Sequence, residues 1–175
     1  MTQSHPGYDP NLAAALRGME APAKPGTAPK VMRYRKPKLT RAKGIVPLAK
    51  SDVMLATVQV VRSGGETGFH SHSGMDGFWF VLKGRARFYT GPVDSPGNEL
   101  IAEVGAHEGV FLPRGVPYWF EQTGEEELEI LQVEAFAKGE PNLTVLHGKA
   151  GGSRNMEIFA EDGRVMDFAE LAKQT

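Results

Sequence analysis

From Val53 onward, apolar and β-branched residues fall in short runs separated by turn formers, a pattern that belongs to strands rather than helices. Residues 53–61 form the first run, closed by Ser63-Gly64-Gly65. Residues 78–82, the pair Lys83-Gly84 and residues 85–89 together predict a β-hairpin, because glycine supplies the positive φ that a tight loop needs. Further strands are predicted at 99–104, 110–112, 118–121, 128–135 and 142–147. Turns fall at Gly91-Pro92, Ser95-Pro96-Gly97, Pro113-Arg114-Gly115 and Thr123-Gly124. Turn signals every 8–12 residues mean an all-β sandwich or barrel. Only residues 165–173 space their apolar positions helically, which predicts a short C-terminal packing helix, and residues 11–18 allow one more.

Composition sharpens this picture. The 175 residues include 21 Gly and 12 Pro, a surplus that suits many short strands. There is no cysteine, so disulfides, zinc–thiolate sites and cysteine nucleophiles are excluded. No run approaches the ~20 apolar residues that span a bilayer, and the N-terminus has neither the basic nor the apolar region of a secretory signal. The expectation is a cytoplasmic protein with no membrane partner. Charge is split: residues 1–50 hold 10 Lys and Arg against 2 Asp and Glu, and the rest hold 10 against 19. The first segment also carries 7 of the prolines. We therefore divide the chain into a basic, Pro-rich arm (1–50), a barrel (51–148) and a tail with a short helix (149–175). Against an acidic body, the arm is expected to lie across its own barrel or a partner subunit's, and arm exchange would give a homodimer. Nucleic acid is set aside as a partner, since no recognition module accompanies Arg33-Tyr34-Arg35-Lys36.

The candidate chemistry centres on Gly64-Gly65-Glu66-Thr67-Gly68-Phe69-His70-Ser71-His72. Two histidines spaced i, i+2 on a strand point to the same face. They are either a hydrogen-bonded pair or half of a metal site. Tyr118, Trp119 and Phe120 form an aromatic run in which Tyr118 and Phe120 share a face, and Phe78, Trp79 and Phe80 repeat the arrangement. Most of these rings are expected in a core or an interface. Arg85 and Arg87 share a face and are expected in solvated cross-strand pairs, while Glu125-Glu126-Glu127 offers a place for the basic arm to dock. His107 and His147 are read as surface residues and His5 as a solvated residue of the arm.

Gly64, five residues, His70-x-His72 and then Gly84 resemble the first signature of the cupin superfamily, and Pro113-Arg114-Gly115 after Val110-Phe111-Leu112 resembles the second. The resemblance covers roughly residues 53–135. It implies a small cupin-type jelly-roll β-barrel, usually dimeric, with a small-molecule pocket in the barrel mouth. The family pattern adds a glutamate to the first motif and a histidine to the second, and here those positions hold Gly77 and Tyr118. If Gly77 points inward, Asp76 beside it points away, and Trp79 joins Gly77 and Phe120 in lining a substrate pocket suited to an apolar or aromatic ligand. What carries over as metal ligands is His70 and His72 alone. Three readings stay open. A reduced two-histidine site, helped by Tyr118 or Asp76, would hold one divalent transition metal (Fe, Mn, Ni or Zn) for oxygenase- or isomerase-type chemistry. A metal-free pocket would use His70, His72 and Tyr118 as acid/base or hydrogen-bonding groups. A vestigial pocket would leave a structural or ligand-sensing module.

Overall fold

The computed structural model describes residues 24–92, 94–139, 141–147, 156–160 and 162–166. They form eleven strands: β1 (Lys43–Lys50), β2 (Met54–Val61), β3 (His70–His72), β4 (Met75–Lys83), β5 (Arg85–Thr90), β6 (Glu99–Gly105), β7 (Gly109–Leu112), β8 (Trp119–Thr123), β9 (Leu128–Phe136), β10 (Thr144–Leu146) and β11 (Met156–Ile158). No helix occurs among the described residues, and so none long and apolar enough to cross a membrane. One sheet runs β11-β1-β2-β9-β4-β7, a second β6-β5-β8, and β3 pairs with β10 alone. This is the expected all-β jelly roll.

The period-two pattern explains the layering. Along β4, Met75, Gly77, Trp79 and Val81 are buried, while Phe78 and Leu82 are exposed. Facing strands supply Val61, Ala86, Phe88, Phe120, Leu128 and Ile130 to the same core. Phe88 lies opposite Phe120 in the β5–β8 ladder, and their rings stand 5.1 Å apart. Trp79 closes this aromatic nest, 4.9 Å from Phe120 and 6.1 Å from Phe88. Lys83-Gly84 makes the turn between β4 and β5, with Gly84 at φ 81°.

The arm boundary needs correction. Residues 43–50, read as the end of the arm, form β1, antiparallel to β2 from Lys43↔Val61 to Lys50↔Leu55. Its strand pattern is obscured in the sequence by a bulge between Pro47 and Ala49, where proline has no N–H to give the ladder. Upstream of it, Leu39 and Tyr34 pack with Val60 and Phe159. The basic segment docks where the acidic run begins β9: Lys36 Nζ stands 2.5 Å from Glu127 and 3.3 Å from Glu129, Arg62 pairs with Glu127, and the Tyr34 hydroxyl donates to Glu129 at 2.7 Å. Burial and the Glu129 carboxylate push the Tyr34 phenol above its ordinary range, and Lys36 and Arg62 hold Glu127 below the usual one. The described part of the arm thus lies on its own barrel.

The tail also contributes a strand, β11, parallel to β1. Its Glu157 is buried and accepts from Thr40 N (2.8 Å), Thr40 Oγ1 (2.6 Å) and Arg41 N (3.1 Å). Burial alone would raise its pKa, but these hydrogen bonds outweigh it and the net shift is downward. Glu157→Ala strands those donors, and we expect urea unfolding to show a loss of about 3 kcal/mol. Val165 bridges to Phe159 and Met166 is buried against Ile45 and Ile158, so the chain is extended where the C-terminal helix was expected to begin. The rest of that helix, the helix at 11–18 and His5 lie outside the described residues.

Candidate functional site

His70 and His72 share one face of β3, as the i, i+2 spacing requires. The short strand is held on both sides. Across from it, β10 places Thr144 opposite His72. On the other side, His70 N donates to the Tyr118 carbonyl (3.0 Å) and Tyr118 N donates back (2.8 Å). This bridge brings three rings together: His70 lies 4.7 Å from Tyr118 and 4.9 Å from His72, edge to face with the latter, and His72 lies 6.5 Å from Tyr118. The Pro113-Arg114-Gly115 turn is fastened between the two motifs. Gly115 N donates to the His72 carbonyl at 2.7 Å, and Arg114 N donates to Asp76 at 2.9 Å. Asp76 therefore points outward and serves the turn, as strand alternation with an inward Gly77 requires.

Two of these rings, those of His72 and Tyr118, border a small cleft open to solvent. His72 and Tyr118 form one wall, and Met75, Gly77 and Leu112 the other, with Pro113 and Val116 of the turn between. Gly77 is flanked in the sheet by Leu112 of β7 and Glu134 of β9. A Cβ added there would meet Trp79 Nε1 at 3.5 Å and the Leu112 carbonyl at 3.8 Å, both ordinary contacts. Trp79 thus sits directly behind Gly77, buried, and Phe120 is wholly buried among Trp79 and Phe88; neither lines the cleft, because the layer in front of them is filled by Tyr118.

The sequence reading missed the polar row that continues inward. Gln59 Nε2 donates to Gln132 Oε1 (2.6 Å), and Gln132 Nε2 donates to Glu134 (2.7 Å), all three buried. The signal was the alternation Leu128, Ile130, Gln132, Glu134 on β9, hidden because the other face, with Leu131 and Val133, is equally apolar. The remaining candidates lie elsewhere. Arg85 and Arg87 both bind Glu103 on the exposed face of β5 and β6. His107 is exposed in a turn at φ 70°. His147 is exposed and meets the Ser71 hydroxyl at 2.8 Å, on the far face of β3.

Electrostatics set the protonation states. The Gly68 carbonyl, 2.6 Å from His70 Nδ1, can only accept, so Nδ1 carries the hydrogen. His72 Nδ1 lies 3.3 Å from Thr144 Oγ1. Burial, and then repulsion from His70, lower the His72 pKa to about 3. The unfolded chain takes up this proton near the ordinary 6.5 and the folded chain only near 3. The unfolded state therefore binds more protons in between, and stability falls by up to about 1.4 kcal/mol per unit as pH drops through that window. Denaturant titrations of wild type and His72→Asn between pH 7 and pH ~4 should show the wild-type slope reduced in the variant; equal slopes would contradict the assignment.

The resemblance to cupins implies a transition metal, and such an ion needs a set of converging donors. Catalytic sites present three protein ligands with an open position. Among the described residues, no three His, Asp, Glu or Cys side chains gather where they could hold one ion. Gly77 offers no donor, Asp76 is turned outward, and the second motif contributes a phenol. These residues do not fit a resident metal.

A barrel of this topology, with a His-x-His strand and a Pro-x-Gly turn meeting at a mouth cleft, defines a class, and the comparisons agree with it. Residues 57–134 match the family model described as a cupin domain. A Klebsiella pneumoniae protein with a double-stranded β-helix domain superposes with TM-score 0.50 at 16% identity, over 65% of this chain and 84% of that one. The Cnp3 cupin domain of Schizosaccharomyces pombe gives TM-score 0.48 at 16% identity, over 57% and 68%. No curated protein matches the sequence. Over residues 57–134 the barrel matches the cupin domain, and its fold is that of a double-stranded β-helix.

Proposed function

We propose that this cupin binds a small organic molecule in the cleft between His72, Tyr118 and Gly77 and holds it without a resident metal, with neutral imidazoles as hydrogen-bond or proton acceptors. The observation that carries the reading is that His72 and Tyr118, with the His70 ring packed against both, border one cleft from which the family's two other donors are missing. A neutral imidazole offers a ring nitrogen that accepts a hydrogen bond from a ligand, and the buried His72 stays neutral at pH 7.

A calorimetric screen of small organic molecules tests this, with wild type, His72→Asn and Tyr118→Phe measured before and after treatment with EDTA. We expect a ligand whose Kd weakens roughly tenfold in at least one variant, the effect of one lost hydrogen bond, and is unchanged by EDTA. Affinity that survives both substitutions, or that disappears with EDTA, would overturn the reading.

A further inference from the structure

Trp79 Nε1 is a buried donor with no hydrogen-bond partner among the described residues. Such groups are rare in folded proteins, since desolvating an N–H without replacing its hydrogen bond is unfavourable. Trp79 itself is 1% exposed. The other indole of the chain behaves ordinarily, as Trp119 Nε1 donates to Asn98 Oδ1 at 3.0 Å. What distinguishes Trp79 is where its N–H lies: the position that a Cβ of residue 77 would take is 3.5 Å from Nε1. Gly77 lines the cleft, and glycine leaves that position empty. The missing side chain is therefore a window from the cleft onto the indole N–H. No positive φ calls for glycine at 77, so backbone conformation does not account for it.

We infer that the cleft takes a neutral carbonyl compound (a small ketone, ester or amide) whose oxygen enters the space at Gly77 and accepts a hydrogen bond from Trp79 Nε1. This rests on the pocket reading above and names its ligand class. Only an acceptor satisfies an indole, which donates and cannot accept. Neutral acceptors are favoured over carboxylates because no residue lining the cleft is Lys or Arg, its one histidine is uncharged at pH 7, and Glu134 lies beside Gly77 in the same row of the sheet. A carboxylate would be desolvated there without a cation to pair with.

The test is a proton–nitrogen NMR titration of the full chain, following the two indole N–H signals and the ring signals of His72 and Tyr118. Trp119→Phe assigns the indoles. Acetone, acetamide and cyclopentanone are the acceptor probes, acetate is the anionic control, and ethylammonium, which can only donate, is the negative control. We expect the neutral acceptors to move the Trp79 signal downfield saturably while the Trp119 signal stays. Gly77→Ala closes the window with a methyl that fits at ordinary contact distance, and it should abolish the Trp79 response. Trp79→Phe should weaken the best probe roughly tenfold, as loss of one hydrogen bond implies, and if that variant fails to fold, Gly77→Ala alone decides. If His72 and Tyr118 respond while Trp79 is still, the inference is overturned and the pocket reading stands. If none of the three responds, both are overturned. Acetate acting as strongly as acetamide would overturn the restriction to neutral acceptors.

Discussion

Replacing Gly77 by glutamate and Tyr118 by histidine in one chain should raise its affinity for a divalent transition ion far above that of the wild type. The expectation follows from what stands at each position. Residue 77 points into the cleft beside His72, has no positive φ to strain a side chain, and leaves a Cβ in ordinary contact with its neighbours. Residue 118 is bridged to His70 in the ladder, so a new imidazole starts within reach of both histidines. Four donors would then replace two, and ligand count governs affinity for such ions. Groups that merely orient a metal ligand are worth 10–100-fold in affinity, so two added ligands should raise it by more than roughly 100-fold. Isothermal titration with zinc or manganese would read this directly. A wild type that already binds as tightly as the double variant would show that Gly77 and Tyr118 are no obstacle to a metal.

The second large effect is on stability. Phe120→Ala removes the ring at the centre of the barrel, where Phe120 is completely buried and packed against Trp79 and Phe88. The Lys43 ammonium also sits over its face, 5.5 Å from the ring centre. Truncating a fully buried phenylalanine costs about 3–5 kcal/mol, since transfer and cavity terms add and strands fixed in two sheets cannot collapse into the gap. A domain of this size has a total stability of about 5–15 kcal/mol, so the variant should unfold at much lower denaturant and express poorly. Phe120→Leu, which keeps most of the volume, should recover more than half of the loss. A cost below about 1 kcal/mol for Phe120→Ala, measured by urea unfolding, would contradict this placement of the core.

How much of this was legible in the sequence follows from which signals are local. Period-two runs and turn residues located eight of the eleven strands and the His70-x-His72 spacing a ninth, because burying one face of a sheet forces alternation into the sequence. The exceptions have physical causes. Lys43–Lys50 contains Gly44 and Pro47, both depleted in strands, and it pairs only because the bulge after Pro47 accommodates the lost donor. Met156–Ile158 is three residues long and is held by a parallel partner more than a hundred positions away, so no local pattern marks it.

The site divides in the same way. The common face of His70 and His72, the outward turn of Asp76 and the inward Gly77 all follow from alternation. The cleft's other features depend on contacts distant in sequence. Met75 and Val116 meet across the mouth only when β4 and the Pro-x-Gly turn are brought together. Phe120 was read as a pocket residue because it shares a face with Tyr118, yet one step along the strand places it behind that ring, in the core. The orphaned N–H of Trp79 is likewise invisible in a sequence, which gives the indole but not what surrounds it.

The central claim is that His72 and Tyr118, packed against His70, line a ligand cleft without a resident metal, and metal content per chain tests it most directly. The full-length protein would be purified without a histidine tag, incubated with iron, manganese, nickel and zinc, desalted, and measured by mass spectrometry beside His70→Ala/His72→Ala. The account predicts metal far below one per chain, unchanged in the double variant. Near-stoichiometric metal that is lost in the double variant would contradict it and return the site to the metal-dependent cupins.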